Sequence, residues 1–185
     1  MSVGEGIRGL RRAMEGAGID PARGLGDELF AFASTLTPIV NVDLFVVNGR
    51  RQILLSWRDD ALCGRGWHIP GGCVRFRETV DQRLRKCALR EFGADVTHDA
   101  APFGVYEFIW NEPRAGLGDQ NERAHHIALA YRCELTGGIG AAQGAVPEGQ
   151  PGHLQWFDDL PADFLAIQAP YRRDWHNIRD KIMRR

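Results

Sequence analysis

Over residues 5–17, Ile7, Leu10, Met14 and Ala17 recur at three- and four-residue intervals, the spacing of a short amphipathic helix. GIDPARGLGD (18–27) interrupts it with glycine, proline and aspartate. Residues 1–24 are therefore expected to form an N-terminal extension, with the main domain over 25–185. DELFAFAST predicts a second short helix capped by Asp27. After Pro38 the pattern turns to strands. IVNVDLFVV, the turn NGR (48–50) and the apolar run QILLSW together predict a β-hairpin. FGVYEFIW (103–110) and LQWFDDL (154–160) predict further strands, as does HHIALAYRCEL (125–135), which alternates Ile127, Leu129, Tyr131 and Cys133. Helices are expected at about 79–91 and at 171–183, the latter with Trp175, Ile178 and Ile182 inward. Strands outnumber helices and no β-α-β-α repeat appears, so the fold class is α+β rather than a Rossmann arrangement.

Two polar stretches read as loops, AGLGDQNERA (115–124) and TGGIGAAQGAVPEGQPGH (136–153). A loop of the second length in a compact domain is either functional or disordered. At 185 residues the chain fits one domain. Its net charge of −1 gives no general electrostatic footprint for nucleic acid or for a membrane surface. The basic C-terminal stretch YRRDWHNIRDKIMRR reads as the solvated face of an amphipathic helix. No apolar run approaches a bilayer span, and the N-terminus lacks the apolar core of a signal peptide, so a cytoplasmic location is expected. Cys63, Cys73, Cys87 and Cys133 form no C-x-x-C pair, and no two histidines have metal-ligand spacing on a helix. Inert thiols in a reducing compartment are expected, and a zinc site is not.

One position breaks its pattern. In the helix of WHIPGGCVRFRETVDQRLRKCALREFG (67–93), Leu84, Cys87, Ala88 and Glu91 fall within about 80° of Val80, while Arg83, Lys86 and Arg90 are expected on the opposite side. A carboxylate on a buried stripe must be neutralised, hydrogen-bonded or paired. A divalent cation does this well, since Mg²⁺ takes hard oxygen ligands, and the glycine pair lets backbone carbonyls approach the same ion. The plainer reading of Glu91 is a solvated helix-end carboxylate.

These residues resemble the Nudix hydrolase signature G-x5-E-x7-R-E-U-x-E-E-x-G-U, where U is a bulky aliphatic. Gly72, Glu78, Glu91 and Gly93 stand in register; Lys86 and Cys87 replace the R-E, and Arg90 replaces the first glutamate of the E-E pair. The order TPIVNVDLFVV, LLSWRDD, GWHIPGGCVRFRET, FGVYEF and LQWF is similar to the GDP-mannose mannosyl hydrolase branch over residues 25 to about 160. The resemblance implies a Nudix α/β/α sandwich with a mixed β-sheet and a loop-helix-loop motif, acting as a homodimer. It implies hydrolysis of a nucleotide sugar such as GDP-mannose, with water attacking the sugar C1 and GDP leaving on a single Mg²⁺ (Mn²⁺ as substitute).

Residue by residue, the resemblance places the metal on Glu91, the Gly71 carbonyl and Gln150. It places the leaving group on Arg58 and Lys86, and a sugar pocket at Asp43, with Tyr106, Phe108 and His126 along the site. Pro151 stands where the branch has its histidine base, which leaves His153 or Glu148 for that role. Two other functions stay open: a pyrophosphatase that cleaves a nucleoside diphosphate derivative at phosphorus, and a catalytically silent Nudix domain that binds a nucleotide. The structural alternatives are a helix-dipole partner for Glu78, a surface arginine at Arg58, a structurally paired Asp43, and packed histidines at His125, His126 and His153.

Overall fold

The computed structural model describes residues 2–61, 63–110 and 123–184. Most of the polar stretch 115–124 lies outside them. The long apolar strands decide the architecture, because β1 (Ile39–Val46) carries apolar residues on both faces. Val42, Leu44 and Val46 point into one core, while Phe45 and the following Val47 point into the other. A strand buried on both sides belongs in the middle of a sheet with a layer on each face.

That is its position. β1 pairs in parallel with β7 (His125–Thr136) from Ile39–His126 to Val46–Cys133, and antiparallel with β4 (Gly71–Cys73). The twelve residues of β7 are long enough to serve two partners along its other edge. Its first half pairs with β6 (Gly104–Ile109) and its second half with β5 (Asp95–His98), both antiparallel. A second sheet has the order β3 (Gly64–His68), β2 (Ile53–Asp60), β8 (Leu154–Phe157).

The expected hairpin does not form. Asn48 makes the turn, its side chain accepting from the Arg50 and Gln52 amides, but only Val47 and Ile53 bridge the two runs. Beyond that point both strands need partners on each edge, and β2 diverges into the second sheet. β5 has no apolar pattern to announce it; only Val96 is buried.

One face of the central sheet is covered by α3 (Val80–Phe92), whose Leu84, Cys87, Ala88 and Phe92 are wholly buried. Thr79 and Gln82 form a capping box at its start, and Gly93 ends it in the left-handed conformation at φ 65°. The opposite face is covered by the C-terminal segment through Tyr171, Ile178 and Ile182. This segment is two short helices, α5 (Ala169–Arg173) and α6 (Trp175–Met183), separated at Asp174. The continuous helix expected there is broken because Asp174 binds Tyr106 Oη at 2.7 Å and Asn177 Nδ2 at 2.6 Å. The result is the expected α/β/α sandwich with a mixed sheet.

At the N-terminus, α1 (Val3–Gly16) buries no residue. In α2 (Asp27–Ser34) the cap position is Gly26, so Asp27 is the first helical residue rather than the cap. The glycine-rich stretch 136–153 is ordered around α4 (Ala141–Gly144) and fastened to the end of α3 by the Gly140 amide donating to Phe92 O at 2.7 Å. No helix among the described residues is long and apolar enough to cross a membrane.

Removing the Leu84 side chain opens a cavity under α3, so Leu84→Ala is expected to cost about 2–5 kcal/mol in urea unfolding. Leu89, on the outer face of the same helix, should tolerate alanine within about 0.5 kcal/mol.

Candidate functional site

A cavity of about 450 Å³ lies at the ends of β1, β2 and β3, walled by β4 and the last turn of α3. Strand alternation puts Asp43 on the same face of β1 as Phe45, toward the C-terminal helices. Its carboxylate is 4% exposed and accepts a 2.5 Å hydrogen bond from Tyr171 Oη. Burial raises its pKa to about 7 against the opposing effect of that hydrogen bond. Gly71 faces Asp43 in the β1–β4 ladder, and a Cβ there would overlap both the Asp43 carboxylate and the Val42 carbonyl.

His68 also lines the cavity. Burial, then the nearby Arg58 charge, depresses it to about 4, so the imidazole is neutral. Its Nδ1 lies 2.8 Å from Ser56 O and donates there, which leaves Nε2 as the acceptor. Arg58 reaches the cavity wall from β2 with its Nε 2.5 Å from Asp60. Phe30, Trp57, Trp110 and His126 supply aromatic surface. The His126 ring is stacked on Phe108 at 4.4 Å and 10°.

The charges of α3 are arranged differently from expectation. Arg83 is buried, not turned outward: only about 60° separates it from Val80, and Glu78 draws it in. The Glu78 and Arg83 side chains are 3% and 5% exposed and meet at 2.7 Å. Lys86 Nζ takes the other Glu78 oxygen at 3.0 Å. Burial pushes the Glu78 carboxyl up, but the Arg75 amide and the two cations outweigh it and hold the group below its usual pKa. Lys86 therefore serves Glu78 and is not on the cavity wall.

The carbonyl and carboxylate expected to bind metal do come together, and a guanidinium stands between them. Arg90 Nη2 donates to Gly71 O at 2.9 Å, and Arg90 meets Glu91 Oε1 through Nε at 2.8 Å and Nη2 at 2.7 Å. The third expected ligand, Gln150, is not on the cavity wall, although Pro151 and Gly152 are. Among the described residues no three His, Cys, Asp or Glu side chains converge as a metal cage. Cys87, in a signature glutamate's place, is a buried thiol whose pKa burial raises. One carboxylate and one carbonyl, both engaged by a cation, do not fit the near-octahedral oxygen set of Mg²⁺.

Other expected residues are also placed elsewhere. His153 Nδ1 lies 2.8 Å from Val146 O, its ring packs near Trp67, and its backbone carries the β2 edge through Trp57 N. Glu148 is exposed and away from the cavity. Tyr106 is turned to Asp174, and Phe108 is buried in the core behind His126. Among the wall residues that pattern reading missed are His68, hidden in a strand of ordinary appearance, and Arg90, which showed only as a departure from the signature. Arg123 is a third, at the edge of an unpatterned loop.

No protein-family model matches the chain. Over 98 residues, 53% of the chain, it is 31% identical to the low-salt glycan biosynthesis protein Agl8 of Haloferax volcanii, and the match spans 60% of that protein's length. Among solved structures it is similar to a MutT NUDIX hydrolase from Burkholderia pseudomallei, with a TM-score of 0.53 at 24% identity, covering 72% of this chain and 95% of that one. A Jonesia denitrificans protein described as a possible asymmetric diadenosine tetraphosphate hydrolase gives a TM-score of 0.58 at 20% identity, covering 80% and 98%.

Two stability predictions follow from the buried charges. Glu78→Gln leaves Arg83 without its counter-charge and is expected to cost about 3–5 kcal/mol in denaturant unfolding. Asp43 acts in the opposite sense. Its pKa is raised on folding, so its cost is absent below the unfolded value near 3.8 and complete above about 7. Asp43→Asn keeps an acceptor for Tyr171, and its thermal stability should gain on the natural chain as pH rises from 5 to 8, by about 2–3 kcal/mol.

Proposed function

We propose, for a chain that carries the Nudix hydrolase fold, that the cavity binds a nucleoside diphosphate derivative and hydrolyses it, with a nucleotide sugar such as GDP-mannose as the first substrate to test. The observation that carries this reading is the joint presence of arginines and aromatic rings on one wall. Arg58 and Arg90 suit a diphosphate, and Trp110 and His126 suit the face of a base or sugar. The partial match to a glycan biosynthesis protein is compatible with a sugar-bearing substrate.

Within this reading the arrangement favours cleavage at the sugar carbon. Attack at phosphorus in this fold would call on a cluster of carboxylates, and the described residues have none. At C1 the demands are smaller. Water must lose a proton as its oxygen bonds to C1, and the C1–O bond must break with its electron pair passing to the diphosphate. Arg58 and Arg90 would stabilise that developing charge. Asp43, on the cavity wall with a proton affinity near neutrality, is the group we assign to take the proton from water. Mg²⁺ has no step in this scheme.

A second reading is a domain that binds a nucleotide without turning it over. It is favoured by the place of His153, which packs near Trp67 and is off the cavity wall, so the expected base is not at the site.

The test is incubation with GDP-mannose and a small panel of nucleotide sugars, with and without Mg²⁺, resolving products by ion-exchange chromatography. GDP plus free sugar is expected, and Asp43→Asn should lower kcat by about a hundredfold or more while remaining folded. GMP plus sugar phosphate would replace this scheme with attack at phosphorus. Thermal stabilisation by nucleotide with no product from any compound would establish the binding domain.

A further inference from the structure

The last turn of α3 brings a side chain to the place where the fold's resemblance calls for a divalent cation. Arg90 lies about 80° round the helix from Val80, on the flank beside β4, and there its guanidinium reaches the strand. It spans the Gly71 carbonyl and the Glu91 carboxylate, with both distances inside hydrogen-bond range. These are two of the three ligands that the resemblance assigns to an ion. We propose that Arg90 is the resident cation of this cavity, excluding a divalent metal from Gly71 and Glu91 and receiving the diphosphate of the ligand directly.

Three features support the exchange of metal for guanidinium. The contacts to Gly71 and Glu91 use the Nε hydrogen and both Nη2 hydrogens, so Glu91 orients the group rather than consuming all five donors. A guanidinium held in this way keeps both Nη1 hydrogens for the oxygens of a phosphate, as charge-assisted hydrogen bonds. Arg58 stands on the same wall, and His68, depressed first by burial, is lowered further by Arg58 and to a lesser extent by Arg90. Phosphate oxygens entering the cavity would therefore meet positive charge without needing to carry an ion with them.

The anion's identity rests on the function proposed above; the exclusion of metal does not. The experiment accordingly uses probes that are not nucleotides. Mn²⁺ binding to the full chain is measured by electron paramagnetic resonance for the natural protein, Arg90→Ala and the double variant Arg90→Ala/Glu91→Gln. Pyrophosphate binding is measured by calorimetry in EDTA. Arg90→Ala should bind Mn²⁺ at least about tenfold more tightly than the natural chain, and Glu91→Gln should abolish that gain. Pyrophosphate should bind the natural chain in EDTA and lose about tenfold or more in Arg90→Ala. Arg90→Gln replaces the alanine variant if the latter does not fold. Equal Mn²⁺ affinity in the natural chain and the Arg90 variant, or pyrophosphate binding that requires added metal, overturns the proposal. Because no nucleotide is involved, these results are separable from the outcome of the nucleotide-sugar panel.

Discussion

Burial of β1 on both faces is the constraint from which the rest of the molecule follows. Its alternate residues enter two different cores, so one side must be covered by α3 and the other by the C-terminal helices. Both edges must also be paired, and β4 and β7 supply those partners. The same alternation that sends Phe45 and Val47 toward the C-terminal helices sends Asp43 there too, where Tyr171 meets it. The cavity is thus built on the strand whose faces and edges are all covered. Asp43 and Gly71 are adjacent because they are register partners, not because a loop happens to bring them together.

Around that strand, charge is divided between holding the scaffold and facing the cavity. Glu78, Arg83 and Lys86 form a closed group at the start of α3. Three residues of the signature region are thereby committed to structure. One helical turn beyond Lys86, Arg90 and Glu91 form an open pair beside Gly71, within the cavity wall. The difference is one of burial. The first pair is sealed and governed by desolvation, whereas Arg90 is more than half exposed and keeps access to whatever enters.

Much of the layer order was legible from period and length alone: the strand runs at 39–47, 103–110 and 125–135, the helix at about 79–91 and the two flanking faces. What escaped was governed by partners distant in sequence. The hairpin after NGR fails because β2 finds β3 and β8, a choice that local pattern does not encode. The C-terminal helix breaks where Tyr106, far back in the chain, binds Asp174. β5 forms because the second half of β7 has an unpaired edge there.

The site was legible to the same degree. Glu91, Gly71, Gly72, Asp43, Arg58 and His126 were named from the sequence and do line one cavity. Lys86, Tyr106, Phe108, Glu148, Gln150 and His153 were named for it and lie off the wall. Arg83 was expected outside although its helical angle lies only about 60° from Val80, and the draw of the buried Glu78 carboxylate was not in the pattern. Arg90 was visible only as a mismatch, and its meaning needed the distance to Gly71.

The parallel pairing of β1 with β7 also has a consequence for how the chain reaches this state. Ile39 lies opposite His126, and the intervening segment includes both layers of the second sheet's first hairpin and all of α3. A ribosome-bound chain would hold β1 long before β7 exists, with apolar residues on both faces and only the short β4 to pair one edge. Closure of the central sheet must wait until Thr136 has emerged, which places this fold among those whose assembly is dominated by distant contacts. Until then, α3 and the β2–β3 ribbon are the structures available to shelter β1 from other chains.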